Sequence, residues 1–212
     1  MNLPNKITLT RIFMIPVFVL FFYLDVMNGW NYFVAAIVFV LAAATDALDG
    51  YIARSRNLVT NLGKFLDPIA DKVLVSTAFI LLLTRMEAFY APIFLFNGGS
   101  ALDAGYAMTV TAGICVALIL ARELIVSGFR MVAAERKLVI AADKLGKVKT
   151  TCQDAAIAFL LVGLSFSDGT AGQVIGFIGL VFFFACTVLT VWSGINYIVR
   201  NKGVLTEAKE QA

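Results

Sequence analysis

Asp46, Asp49, Asp67 and Asp71 place four carboxylates within 26 residues, in the pattern D-x2-D-G-x2-A-R-x8-G-x3-D-x3-D. On helices, the first pair is spaced i and i+3 and the second i and i+4, so each pair projects from one face. Two helices joined by a short basic turn can aim all four into one space. Close-packed carboxylates raise one another's pKa and cannot all stay ionised without compensating positive charge. Two divalent ions supply about four such charges. Oxygen ligands without histidine, which the chain lacks entirely, point to magnesium or manganese rather than zinc. Acid–base work must then fall to Asp, Glu, Lys or Tyr.

The surroundings of this cluster are apolar. The chain has 212 residues and is 60% hydrophobic, with a mean hydropathy of +0.88, far above the usual composition of a water-soluble domain. Apolar stretches predict six spans, at about 7–24, 32–53, 65–83, 107–129, 148–166 and 174–199. Each is long enough for a hydrocarbon core of about 30 Å. A carboxylate at the centre of a span costs about 2.5–3.5 kcal/mol. The second span, however, is purely apolar only to Thr45, which puts Asp46 and Asp49 near its end, within reach of water and soluble substrates.

Charge placement predicts orientation. One side collects Lys6, Arg54, Arg56, Lys64, Arg136, Lys137, Lys144, Lys147, Arg200, Lys202 and Lys209, whereas the other holds Arg85 beside Asp25, Glu87, Asp103 and Asp168. The positive-inside rule then puts both termini and the aspartates in the cytoplasm. The fold expected is an all-α integral membrane protein of six transmembrane helices with a short N-terminal juxtamembrane segment, a single domain over 1–212. The net charge of +3 reflects clusters suited to anionic lipid, with no need for nucleic acid. The three cysteines, spread over predicted spans, read as small buried hydrophobes rather than a disulfide or zinc set. The first apolar segment lacks an A-x-A cleavage site and reads as an uncleaved span. The 85–106 connection is expected to be an interfacial loop on the outer face, with Asn97-Gly98-Gly99-Ser100 as a turn.

Gly50 and Gly63 leave room for a phosphate or sugar to approach, or simply let helices pack closely. Arg54 fits a phosphate clamp or a basic flank of the membrane. The whole segment 46–71 resembles the signature of the CDP-alcohol phosphatidyltransferase family, with no position missing. That resemblance implies a six-span homodimer using two Mg2+ or Mn2+ ions, which displaces CMP from a CDP-linked lipid with an alcohol. It implies Asp46, Asp49, Asp67 and Asp71 as metal ligands, with Asp71 also the catalytic base. It implies CDP-lipid contacts from Asn5 and Thr8, in Pro4-Asn5-x-x-Thr8-x-x-Arg11, and from Gly50, Arg54, Thr60 and Gly63. By its residues alone, Asn5 reads equally as a helix cap.

The acceptor is approached through Ala121-Arg122-Glu123, Ser127-Gly128-Phe129-Arg130 and Leu145-Gly146-Lys147-Val148-Lys149-Thr150, with Gln153 following. Arg122 and Arg130 stand about 80° apart on a helix, on one broad groove. Arginines in an apolar helix demand an anion, although Arg122 could instead pair with Glu123 or a helix end. These motifs are similar to those of the phosphatidylglycerophosphate synthases. The likeness implies CDP-diacylglycerol as donor and sn-glycerol 3-phosphate as acceptor, with Arg122, Arg130, Lys147 and Lys149 on the acceptor phosphate. It also implies a multi-pass protein of the cell membrane with its active site facing the cytoplasm. Relatives using inositol phosphate, serine or phosphatidylglycerol are the nearer alternatives. An ion-coupled transporter is the alternative from another class, but it would place charges near the midplane of broken helices and show an internal repeat.

Overall fold

A computed structural model of the chain describes residues 3–24, 29–55, 61–89, 101–135, 144–167 and 169–200. Among these, six α-helices and one short 3-10 helix form, with no strand. The α-helices are α1 (Leu3–Tyr23), α2 (Trp30–Ser55), α3 (Asn61–Leu83), α4 (Ala101–Glu135), α5 (Lys144–Ser165) and α6 (Thr170–Arg200); the 3-10 turn is η1 (Met86–Phe89). Every predicted span falls on one helix, in order. Two of them, over Gly105–Met131 and Thr170–Arg200, are long and apolar enough to cross a membrane by length and composition.

Helix bounds run past the apolar stretches at two places. Residues 3–6, ahead of the apolar part that starts at Ile7, form the first turn of α1. The 85–106 connection is not wholly a loop, because η1 follows α3 directly and α4 already starts at Ala101. Apolarity marks only the part of a helix that needs hydrocarbon, so hydropathy cannot see a helix continuing past it. Met86 and Phe89 of η1 are buried in the common core, so this end of the connection is anchored in the bundle. The turn signal at 97–100 lies outside the described residues.

Aromatic and branched side chains fill the core, with Phe18, Phe22, Phe39, Phe79, Phe183, Leu82, Ile119 and Leu160 fully buried. The helix pair α5 and α6 packs most extensively, followed by α1 on α2. Pro16 sits inside α1 on its exposed side, where its ring fixes φ and its missing N–H removes one helical hydrogen bond. Gly29 turns the chain from α1 into α2 with φ +90°, a conformation other residues resist. Asn31 ties that turn by donating from Nδ2 to the Phe22 carbonyl at 3.3 Å. Cys115, Cys152 and Cys186 are free thiols.

The helices alternate in direction, which sorts the residues to two ends. Arg11 of α1 meets Thr45 of α2, Lys72 of α3 meets Ser127 of α4, and Arg122 of α4 meets Ser193 of α6. The predicted chemistry gathers at that polar end.

Candidate active site

Three helices each present one face to a cleft of about 30 Å³ at the polar end. From α3 come Asp71, Lys72, Val75 and Ser76; from α4, Ile119, Leu120 and Glu123; from α5, Lys149, Thr150 and Gln153. The spacings 71/75, 119/123 and 149/153 are all i and i+4, the helical repeat that stacks side chains in a column. Asp71, Lys72, Glu123 and Lys149 form a charged rim. One turn deeper, Val75 and Ile119 make an apolar floor interrupted by Ser76 and Gln153.

Glu123 is the hub of the rim. Its Oε1 accepts from Arg122 Nη1 at 3.4 Å and from Lys149 Nζ. Lys149 is only 3% exposed, and a buried cation is retained only where a partner offsets its lost hydration. Ser127 Oγ donates to the Glu123 carbonyl at 2.6 Å and accepts from Lys72 Nζ. Asp71, Glu123, Arg122 and Arg130 all lie within the electrostatic reach of Lys72, and Asp71 lies within that of Lys149.

The two arginines reach α6. Arg122 Nη2 donates to Ser193 Oγ at 3.0 Å, and Ser193 donates onward to the Thr190 carbonyl at 3.1 Å. A Cβ at Gly194 would stand 2.8 Å from Arg122 Cγ, so the missing side chain makes the channel for the arginine stem. Arg130 is exposed, with its Cζ 5.7 Å from the centroid of the Tyr197 ring, inside the range of a cation–π contact. Lys72, Arg122, Arg130 and Lys149 bring four positive charges against the two carboxylates Asp71 and Glu123, a formal surplus of two. Such a surplus suits a phosphate dianion.

On the other flank, Arg11 is completely buried. Its Nε donates to Thr45 Oγ1 at 3.4 Å, and Thr45 donates to the Ala42 carbonyl at 2.6 Å. Thr8, one turn before Arg11, is also buried. Thr45 immediately precedes Asp46, so α1 grips α2 where its carboxylates begin.

Of the residues singled out by sequence, Asp71 lies in the cleft. Asp46, Asp49, Gly50 and Arg54 fall in the last turns of α2, while Gly63 and Asp67 fall in the first turns of α3. Their side chains, like that of Asn5 in α1, are outside the described set, and Thr60 lies outside the described residues. Among the described side chains no three metal-ligating groups converge. Arg122 and Lys149 are brought together by Glu123, so Arg122 makes the pairing with Glu123 that its sequence allowed, and it meets the cleft through that residue rather than lining it. Arg130 sits farther along α4, and Lys147 is exposed outside the cleft lining. Lys72, Ser193 and the buried state of Arg11 escaped the sequence reading, and Ser127 entered it only as part of the motif that ends at Arg130. The adjacency of Lys72 to Asp71 inside an apolar span was the available signal.

The family model described as CDP-alcohol phosphatidyltransferase matches residues 1–192. The CDP-diacylglycerol–glycerol-3-phosphate 3-phosphatidyltransferase of Shigella flexneri serotype 5b is 37% identical over 199 residues, 93% of this chain and 93% of that protein. Proteins of the same name from Escherichia coli K12 and Escherichia coli O157:H7 also match at 37% identity over 93% of both chains. With an unbroken signature motif, a charged cleft beside its last aspartate and matches of this extent, the chain belongs to the CDP-alcohol phosphatidyltransferase family.

Proposed function

We propose that this protein transfers the phosphatidyl group of CDP-diacylglycerol to sn-glycerol 3-phosphate, releasing CMP and forming phosphatidylglycerophosphate. The observation that carries the acceptor assignment is the set of cations at the cleft: Lys72 and Lys149 line it with Asp71, Arg122 joins it through Glu123, and Arg130 stands farther along α4 over Tyr197. A phosphorylated alcohol entering there places its phosphate among these cations and its hydroxyl toward Asp71. Asp71 takes the hydroxyl proton, and the oxygen attacks the phosphorus that bears the diacylglycerol. As that P–O bond forms, the bridging P–O bond to CMP breaks and its electrons leave on the CMP phosphate.

The donor set fits two hard divalent cations: four aspartates and no imidazole, at facing ends of α2 and α3. Asp46, Asp49, Asp67 and Asp71 would hold Mg2+ or Mn2+, which supplies charge neutralisation for the pyrophosphate and the departing phosphate. Arg11, through Thr45, steadies the start of the α2 carboxylates. Asn5, Thr8, Gly50, Arg54, Thr60 and Gly63 are assigned to the CDP-lipid, and Lys147 to the outer approach of the acceptor.

All six helices would span the bilayer, with the cleft and both termini cytoplasmic. The shortest, α1, has 21 residues; its apolar part, Ile7–Tyr23, rises about 26 Å, at the lower end of what a crossing needs. Phe13, Leu124, Val188 and Trp192 are among the large apolar residues left exposed, as lipid contact or a homodimer interface requires.

The test is CMP release by the purified protein given CDP-diacylglycerol, magnesium and a panel of alcohols. sn-Glycerol 3-phosphate should be preferred over glycerol, serine and inositol phosphate. Excess EDTA should stop turnover and added magnesium or manganese restore it. Full activity in EDTA would sink the metal assignment, and efficient use of glycerol or a preference for inositol phosphate would sink the acceptor assignment.

A further inference from the structure

One polar side chain in the cleft has no part in the reaction just described. Gln153 lies on α5 one turn deeper than Lys149, is 3% exposed and lines the cleft with Asp71. Its Nε2 has no hydrogen-bond partner among the described residues. Thr187 and Thr190 on α6, by contrast, each donate to a carbonyl one turn back, while Arg122 Nε is the other unpaired buried nitrogen at this end among the described residues. A buried amide left unpaired is rare in folded proteins, and rarer still where lipid excludes water. Val75 and Ile119 beside it are apolar, and Ser76 is the other polar side chain of the floor.

The nature of the missing partner follows from charge and position. Phosphate belongs at the rim, where Lys72, Arg122 and Lys149 stand. Gln153 is neutral and sits one turn below that rim, beside Val75 and Ile119, where an uncharged hydroxyl suits it better than a phosphate. An amide serves a hydroxyl well, since it can donate through nitrogen and accept through oxygen. sn-Glycerol 3-phosphate has two hydroxyls, of which C1 is the nucleophile that faces Asp71. The C2 hydroxyl has no other assigned partner.

We propose that Gln153 is a specificity-determining residue whose amide donates a hydrogen bond to the C2 hydroxyl of the acceptor. Held there and by its phosphate at the rim, the acceptor has its C1 hydroxyl directed at Asp71. This assignment rests on the proposed acceptor reading and adds to it the reason why a glycerol backbone is selected over other phosphorylated alcohols.

The experiment is a cycle of two acceptors and two proteins. The second acceptor is 3-hydroxypropyl phosphate, which keeps the nucleophile and the phosphate but lacks the C2 hydroxyl. The wild type should show kcat/KM about tenfold or more higher for sn-glycerol 3-phosphate, as a lost buried hydrogen bond implies. In Gln153→Met, of similar volume but apolar at its tip, the value for sn-glycerol 3-phosphate should fall about tenfold, while that for the deoxy acceptor stays within about twofold. Equal use of both acceptors by the wild type overturns the proposal without any variant. A variant that lowers both acceptors equally, or neither, overturns it too. If sn-glycerol 3-phosphate itself supports no CMP release, the acceptor reading has failed; if it does and the ratio is unmoved by the substitution, only Gln153 has been misassigned.

Discussion

The two ends of the same bundle are built on opposite rules. At the polar end, long charged side chains stand between helices: Lys149 and Arg122 converge on Glu123, Lys72 crosses to Ser127, and a cleft remains between α3, α4 and α5. At the far end, helices meet backbone to backbone. A Cβ on Gly163 would stand 2.7 Å from the Gly176 Cα, and one on Gly179 2.9 Å from the Leu160 backbone nitrogen. Trp30, Phe33 and Phe166 close that end, with Trp30 5.7 Å from each of the other two rings. Small residues gain dispersion contact by close approach, which drives helix association in lipid. Charged side chains forgo that contact and hold open a place for ligand. The difference teaches a division of labour: the far end supplies cohesion, and the polar end holds its charged side chains around a cleft.

The strongest way to break this division is at Asp71. Asp71→Asn preserves shape but cannot take a proton, and turnover should fall about a hundred- to ten-thousand-fold. CDP-lipid binding should persist, and metal occupancy measured on the same variant separates lost ligation from lost proton transfer. Near-normal turnover would remove Asp71 as base.

The acceptor cations allow a graded test. Arg122 is half-buried in the Gly194 channel and joined to Glu123 and Ser193, so Arg122→Ala should raise the acceptor KM about ten- to a hundredfold, the worth of a charged hydrogen bond. Arg130 is exposed over Tyr197, and solvent weakens its pull on the phosphate. Arg130→Ala should therefore cost about tenfold or less. Lys147, exposed and outside the cleft lining, should shift KM by about twofold at most when replaced by Ala. Donor KM should move little in all three. A reversed order, or a donor KM that rises instead, would show that the cleft does not read the acceptor phosphate.

The bundle was legible in the sequence to the extent that chemistry is local. Six apolar runs map onto six helices because a long apolar run satisfies its backbone within itself as a helix. Asp71 was legible because its motif spans one helix turn after another, and Gln153 stands at i+4 from Lys149 on a helix that sequence already suggested. The hub was not. Lys72 and Ser127 are 55 residues apart, and Arg122 and Ser193 71 apart, so their meeting depends on how α3, α4 and α6 pack. The early start of α4 at Ala101 was hidden because hydropathy reports lipid exposure rather than backbone conformation. Gly194 gave no sign of its purpose until the arginine beside it was placed.

The smallest expected effect on chemistry comes from the far end, and it tests whether cohesion and catalysis are separable. An alanine in place of glycine inside a helix ordinarily stabilises by about 1 kcal/mol. At Gly163 the added methyl would lie 2.7 Å from the Gly176 Cα and 2.9 Å from its nitrogen. These are backbone atoms of α6, which cannot swing aside as a side chain tip could. Overpacking of this kind costs about 1–3 kcal/mol, enough to outweigh the propensity gain. Gly163→Ala should therefore lower the thermal unfolding midpoint in detergent, while kcat and both KM values, read well below that midpoint, stay within about twofold of the wild type. An unchanged or higher midpoint would show that α5 and α6 are not locked by backbone contact. A selective rise in acceptor KM would instead show that the spacing of α5 at its far end sets the position of Lys149 and Gln153, and the two ends would then be one mechanical unit.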